Sequence, residues 1–155
     1  MTLTRRLLGP EGGRIQRASR IFWTLLLVGA GSAHFWAKDF LVAQMPPYLP
    51  FPSELVLLSG GVELVLAVTL QIPALRRWSW AAISLMCVAY LPLHWYVWAE
   101  CEILREVNGP YHIPCWLTLI RLPIQGLFIV WPAWLAWQGP ALRWLAGRGT
   151  RSTVR

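Results

Sequence analysis

At 155 residues the chain is long enough for one domain, but its composition is not that of a water-soluble one. Hydrophobic residues make up 56% and charged residues 14%, against about 25% charged in ordinary soluble domains, and eleven residues are Trp. The net charge of +7 gathers at the chain ends and in one short turn rather than on a face, which argues against nucleic acid as a partner and for a membrane protein.

In chain order, residues 1–20 form a basic tail with Arg5, Arg6, Arg14, Arg17 and Arg20. Arg14 to Arg20 reads as a short interfacial helix or as plain charged tail. A first membrane span is expected over 21–37. No small-residue cleavage pattern follows it, so it is expected to be a retained helix rather than a signal peptide. Gly29, Ala30, Gly31, Ser32 and Ala33 narrow its second half, where another backbone can approach. His34 follows, about a turn from the exit. An outer loop is expected over 38–54, held extended or turned by Pro46, Pro47, Pro50 and Pro52, with Tyr48 and Phe51 at the interface.

The second span is expected over 55–72, with Glu63 near its middle and Pro73 at its end. A short basic turn (Arg76, Arg77) leads into a third span over 78–98. Pro92 should kink that span and free a carbonyl near Val88. A second polar loop covers 99–115, with a turn at Asn108-Gly109-Pro110, and the fourth span covers 116–137. Residues 139–155 form another basic tail. The fold class is therefore an all-α integral membrane protein, a four-transmembrane-helix bundle occupying 21–138. Five Lys or Arg precede the first span, two lie in the 73–78 turn and four in the last tail, while only Lys38 and Arg105 fall in the other loops. This distribution predicts both termini on the cytoplasmic side.

Glu63 sets the chemical question. An ionised carboxylate deep in hydrocarbon costs about 2.5–3.5 kcal/mol on the insertion scale, so it must be protonated, paired or facing a wet interior. The four-span topology puts Glu63, His34, His94 and Arg121 in the same half of the bundle. Ser59, Gly60, Glu63 and Ala67 share a helix face, as do Thr118, Arg121 and Gln125, and Cys87, Tyr90 and His94. The sharpest expectation is a Glu63–Arg121 ion pair at the floor of an outward-facing pocket, with a two-pronged guanidinium contact and the two histidines beside it. Such a cluster reads either as glue between helices or as a ligand or proton site. No metal is expected there, because Arg121 would repel a cation.

Cys101 and Cys115 flank the 102–114 loop on one side of the membrane. A disulfide closing that loop, two unpaired thiols, and an exchange pair for a redox partner all fit. Cys87 reads as an apolar filler. Most Trp residues fall near span ends as an aromatic belt. Tyr90, Trp95 and Trp98, with Trp36 and the 46–52 cap, also suit a roof over a flat apolar ligand.

The stretches GSAHFWAKDF (31–40), MPPYLP (45–50), SGGVELVLAVTLQIPALRR (59–77), PLHWYVW (92–98) and LIRLPIQGLFIVW (119–131) resemble the DoxX-like family of small four-span bacterial inner-membrane proteins. His34, Glu63, Arg121 and Gln125 match that pattern. His94 departs from it, since Pro92-Leu93-His94 stands where Pro-Ala-Asn is frequent. The resemblance implies a multi-pass protein of the bacterial inner membrane and a link to thiol or quinone redox, because the family takes its name from a subunit associated with a thiosulfate:quinone oxidoreductase.

Two functional readings follow. In the first, the protein is an accessory subunit binding a lipid-like or quinone-like molecule, with membrane lipid, a membrane or periplasmic redox partner and a homo-oligomer as candidate partners. The alternative is a small membrane enzyme using Glu63 and a histidine for proton transfer, or a small carrier. No nucleotide fingerprint or cofactor motif marks the chain as an enzyme, and no residue is singled out as catalytic.

Overall fold

The computed structural model describes residues 13–108 and 113–149, with side chains for 13–106 and 113–138. The tail before Gly13, the turn expected at Gly109-Pro110 and residues 150–155 lie outside the described residues. The described elements are all helical: α1 (Arg14–Trp36), α2 (Lys38–Val42), α3 (Pro52–Thr69), α4 (Arg76–Ala89), α5 (Leu91–Ala99), α6 (Cys101–Asn108) and α7 (Cys115–Gly149).

Among the described residues, three helical stretches are long and apolar enough to cross a membrane: Pro52–Thr69, Arg76–Ala99 and Cys115–Gln138. A fourth was expected over 21–37, and all of that segment but Ala37 lies within α1. At 23 residues α1 has the length, but Arg14, Arg17 and Arg20 at one end and the Gly- and Ser-rich stretch with His34 at the other dilute its apolar character. The boundaries differ elsewhere too. Residues 14–20 are continuous with α1. The 38–54 loop holds α2 and gives way to α3 at Pro52, which suits a first-turn position because no partner is needed for its missing N–H. The 99–115 loop holds α6, braced by an exposed Glu102–Arg105 pair at 3.7 Å. The last helix runs on to Gly149, past the tail boundary expected at 139.

The third apolar run breaks at Tyr90, between α4 and α5. Pro92 has no N–H to continue the ladder and its ring disfavours a regular preceding turn. The freed acceptor that finds a partner is the Cys87 carbonyl, one residue before the expected Val88: the Gln125 side chain donates to it at 2.7 Å, joining α7 to the break.

Cross-helix contacts show antiparallel neighbours. Against α3, α1 places Thr24 beside Gln71 at one end and Gly31 beside Gly60 toward the other. The α3–α4 contact runs from Ser79–Thr69 to Tyr90–Glu63. Ser84 bonds the Ile129 carbonyl between α4 and α7, and Trp131 bonds Ser19 between α7 and α1. The main core lies at the basic-turn end, where Trp23, Leu27, Leu66, Leu70, Trp80, Ile83 and Leu135 pack together. Trp23 meets Trp80, Phe128 and Trp131 edge-on at 6.4, 4.9 and 6.2 Å between centroids. By contrast, Leu25 and Leu85 are 69% and 70% exposed. Apolar residues turned outward on several long helices form a surface suited to lipid rather than water.

Candidate functional site

The end of the bundle away from that core holds Glu63, His34 and Tyr90. Glu63 sits mid-way along α3 and is only 4% exposed. The Tyr90 hydroxyl, at the helix break, donates to Glu63 Oε1 at 3.1 Å. Glu63 Oε2 lies 3.8 Å from His34 Nδ1, too far for a hydrogen bond. That nitrogen instead donates to the Ala30 carbonyl one turn back, at 2.9 Å. Oε2 has no hydrogen-bond partner among the described residues.

The geometry is possible because of two glycines. A Cβ on Gly60 would collide with the His34 Cβ and stand 2.9 Å from the Gly31 carbonyl oxygen. With hydrogen at both positions α1 lies directly against α3, and His34 rests over Gly60 beside the carboxyl group. The small residues read from the sequence thus act to bring an imidazole up to a carboxylate.

The expected Glu63–Arg121 ion pair does not form. Among the described residues the ion-pair partner of Glu63 is His34, while Arg121, half-buried on α7, lies within electrostatic reach of His94. The reason is topological. In a ring of antiparallel neighbours the second and fourth long helices run parallel and face each other diagonally, whereas α1 and α4 flank α3. Gln125 also stands apart from Glu63, since its amide is engaged at the helix break. The five residues grouped from the sequence therefore divide: Glu63 and His34 together, His94 near Arg121, and Gln125 on the Cys87 carbonyl. Tyr90 was missed as a partner of Glu63. Its signal was its place just before Leu-Pro, where a break re-aims the side chain.

A double-mutant cycle separates these arrangements. Glu63→Gln and Arg121→Met should be additive within about 0.5 kcal/mol in detergent unfolding, as for residues without shared partners. Glu63→Gln and Tyr90→Phe should couple by about 0.6–1.7 kcal/mol, the range of intramembrane hydrogen bonds. Coupling in the first cycle and additivity in the second would restore the ion pair.

Cys101 and Cys115 form a disulfide that ties the start of α6 to the start of α7, with Cα atoms 5.5 Å apart. Glu102 lies beside it, and the three side chains offer ligand atoms within 4.8 Å of one another. With the sulfurs bonded to each other there is no thiolate for a metal, so in this form the group is a redox-capable bond rather than a metal site. Cys87 is buried and unbonded.

A groove of about 570 Å³ lies along α5, lined by Tyr48, Trp95, Tyr96 and Leu122 among others. Of the aromatic roof expected from sequence, Trp95 and Tyr48 of the cap line it. Tyr90 turns instead to Glu63, and Trp36 is 79% exposed. The molecule thus carries a proton-relay-capable Glu–His–Tyr cluster and a redox-capable disulfide.

A family described as a domain of unknown function (DUF8561) matches residues 23–136, which takes in all of these groups. No curated protein and no solved structure matches the chain.

Proposed function

The chain belongs to that family, and we propose that it is a small multi-pass membrane protein that transfers protons at Glu63, as a membrane enzyme or carrier. One observation supports this reading above the others: the Glu63 carboxyl is buried with one oxygen held by Tyr90 and the other, 3.8 Å from an imidazole, without a hydrogen-bond partner among the described residues. A carboxylate serving only as glue would have both oxygens engaged, since buried polar atoms are nearly always satisfied. An oxygen left open beside a histidine is placed to take up a proton and release it. The His34 side chain is 16% exposed, so it offers the step between the buried carboxyl and the surface.

A hydrophobic carbodiimide, which adds to protonated carboxyls in apolar surroundings, tests the proposal. Glu63 should be labelled at low pH, with labelling falling as pH rises, and His34→Gln should displace that pH profile. Peptide mass mapping reads the modification. No labelling at any pH, or a profile indifferent to His34, would defeat the reading.

The disulfide and the aromatic groove favour a second reading. Here the protein is a DoxX-like accessory subunit of the bacterial inner membrane, four-spanning with both ends cytoplasmic, that binds a lipid-like or quinone-like molecule and exchanges thiols with a redox partner. Native mass spectrometry of the detergent-purified protein should then show a retained quinone or lipid, and would report a homo-oligomer or bound subunit in the same spectrum.

A further inference from the structure

The groove along α5 has a chemistry that the proton site does not use. Trp95 and Tyr96 come from adjacent rows of that helix, Glu100 follows Tyr96 at a spacing of four on the same row, and Tyr48 closes the groove from the 46–52 cap. Tyr48 and Tyr96 meet edge-on at 6.4 Å and 83°, and both Glu100 and Tyr48 lie within electrostatic reach of Tyr96. Among the described residues, three electron-rich rings and one carboxylate therefore line a single groove, and no Lys or Arg does. Lys38 pairs with Asp39 at 4.0 Å and Arg105 with Glu102 at 3.7 Å, while Arg121, next to the lining Leu122, lies within electrostatic reach of His94. Glu100 has no ion-pair partner among the described residues.

We propose that this groove binds an amphipathic ammonium cation, its charged head among Tyr48, Trp95, Tyr96 and Glu100 and its apolar tail against Leu91 and Leu122. Aromatic faces attract cations through their quadrupoles, most strongly when water is excluded, and Glu100 adds a full opposite charge. An anion would be repelled by Glu100. A neutral flat molecule would gain from the rings but nothing from the carboxylate, which separates this site from quinone binding. An amine-bearing lipid headgroup and a free lipophilic amine share the required chemistry. The inference is independent of the proton site, since Glu63 does not line the groove.

Equilibrium dialysis of decyltrimethylammonium against the full chain in maltoside micelles tests it, with decanol as the neutral probe. Glu100→Gln and Trp95→Leu should each weaken decyltrimethylammonium binding about tenfold, and Glu100→Gln should leave decanol unchanged. Both substitutions fall on partly exposed positions, and circular dichroism melting confirms that each variant folds. Affinity unchanged in both variants, or decanol lost in parallel with the cation, would overturn the proposal. Displacement of the probe by phosphatidylcholine but not phosphatidylglycerol supports a lipid headgroup as occupant, and displacement by neither supports a free amine. Equal displacement by both lipids would overturn the cation site.

Discussion

Replacing Trp23 with alanine should lower the unfolding free energy by about 3 kcal/mol, the largest effect expected of any single side chain here. Trp23 is 1% exposed and joins three other aromatic rings from α4 and α7. Large-to-small changes at such sites cost about 3–5 kcal/mol in water-soluble cores, part of it transfer from water and part the cavity left behind. In a bilayer the transfer part shrinks, because lipid is as apolar as the core, and lost packing dominates. That places the expectation at the lower end. No hydrogen bond is lost with the ring, because Trp23 Nε1 has no partner among the described residues. The control is Trp36→Ala, at a position 79% exposed, which should change stability by less than about 0.5 kcal/mol. Unfolding in sodium dodecyl sulfate, followed by circular dichroism, measures both. Equal effects at the two positions would mean that the aromatic cluster is not the core.

Gly60→Ala should destabilise the protein by about 2 kcal/mol relative to Gly61→Ala. A methyl group at 60 would collide with the His34 Cβ and press on the Gly31 carbonyl oxygen, both parts of a close helix contact with no flexible side-chain end to move. Overpacking of this kind costs about 1–3 kcal/mol. At Gly61 a methyl would meet nothing within 4 Å, so only the preference of helices for alanine acts there, about 1 kcal/mol in favour of the variant. The adjacent pair thus isolates the contact from the propensity. Forcing α1 away from α3 also moves His34 from Glu63, so carbodiimide labelling of Glu63 should change in Gly60→Ala and stay as in the parent in Gly61→Ala. Matching behaviour of the two variants in both measurements would mean that α1 does not lie against α3 here.

Much of the scaffold was legible in the residues themselves. Apolar runs long enough to span a bilayer stand out because lipid tolerates no long polar stretch, and three of the helices follow them. The break in the third run was readable because proline lacks the donor a helix needs. Glu63 stood out for its cost in hydrocarbon, and the narrow 29–33 stretch for its missing side chains. Gln125 was noticed as polar in an apolar run and grouped with Glu63, but its amide reaches the Cys87 carbonyl at the helix break instead.

Which polar groups meet was decided only by the tertiary structure. Depth along a helix follows from counting residues, and Glu63 and Arg121 were matched on depth, on the polar face each shares with its neighbours and on the cost of either charge alone in hydrocarbon. Contact also needs azimuth and adjacency, which the linear pattern leaves open when each helix is apolar nearly all round. With antiparallel neighbours packed in a ring, Glu63 on α3 is turned to α1 and α4, so His34 and Tyr90 come up to it while Arg121 lies within electrostatic reach of His94. The cysteines illustrate the same division. Their positions at the two ends of one loop left a bond, free thiols and exchange all open, and the fold brings the two Cα atoms to 5.5 Å, where a disulfide closes. The sequence by itself determined which residues are costly in a membrane and at what height they sit, because those depend on each residue's own chemistry. Their partners were set by rotation and neighbour order, which arise only when the helices pack.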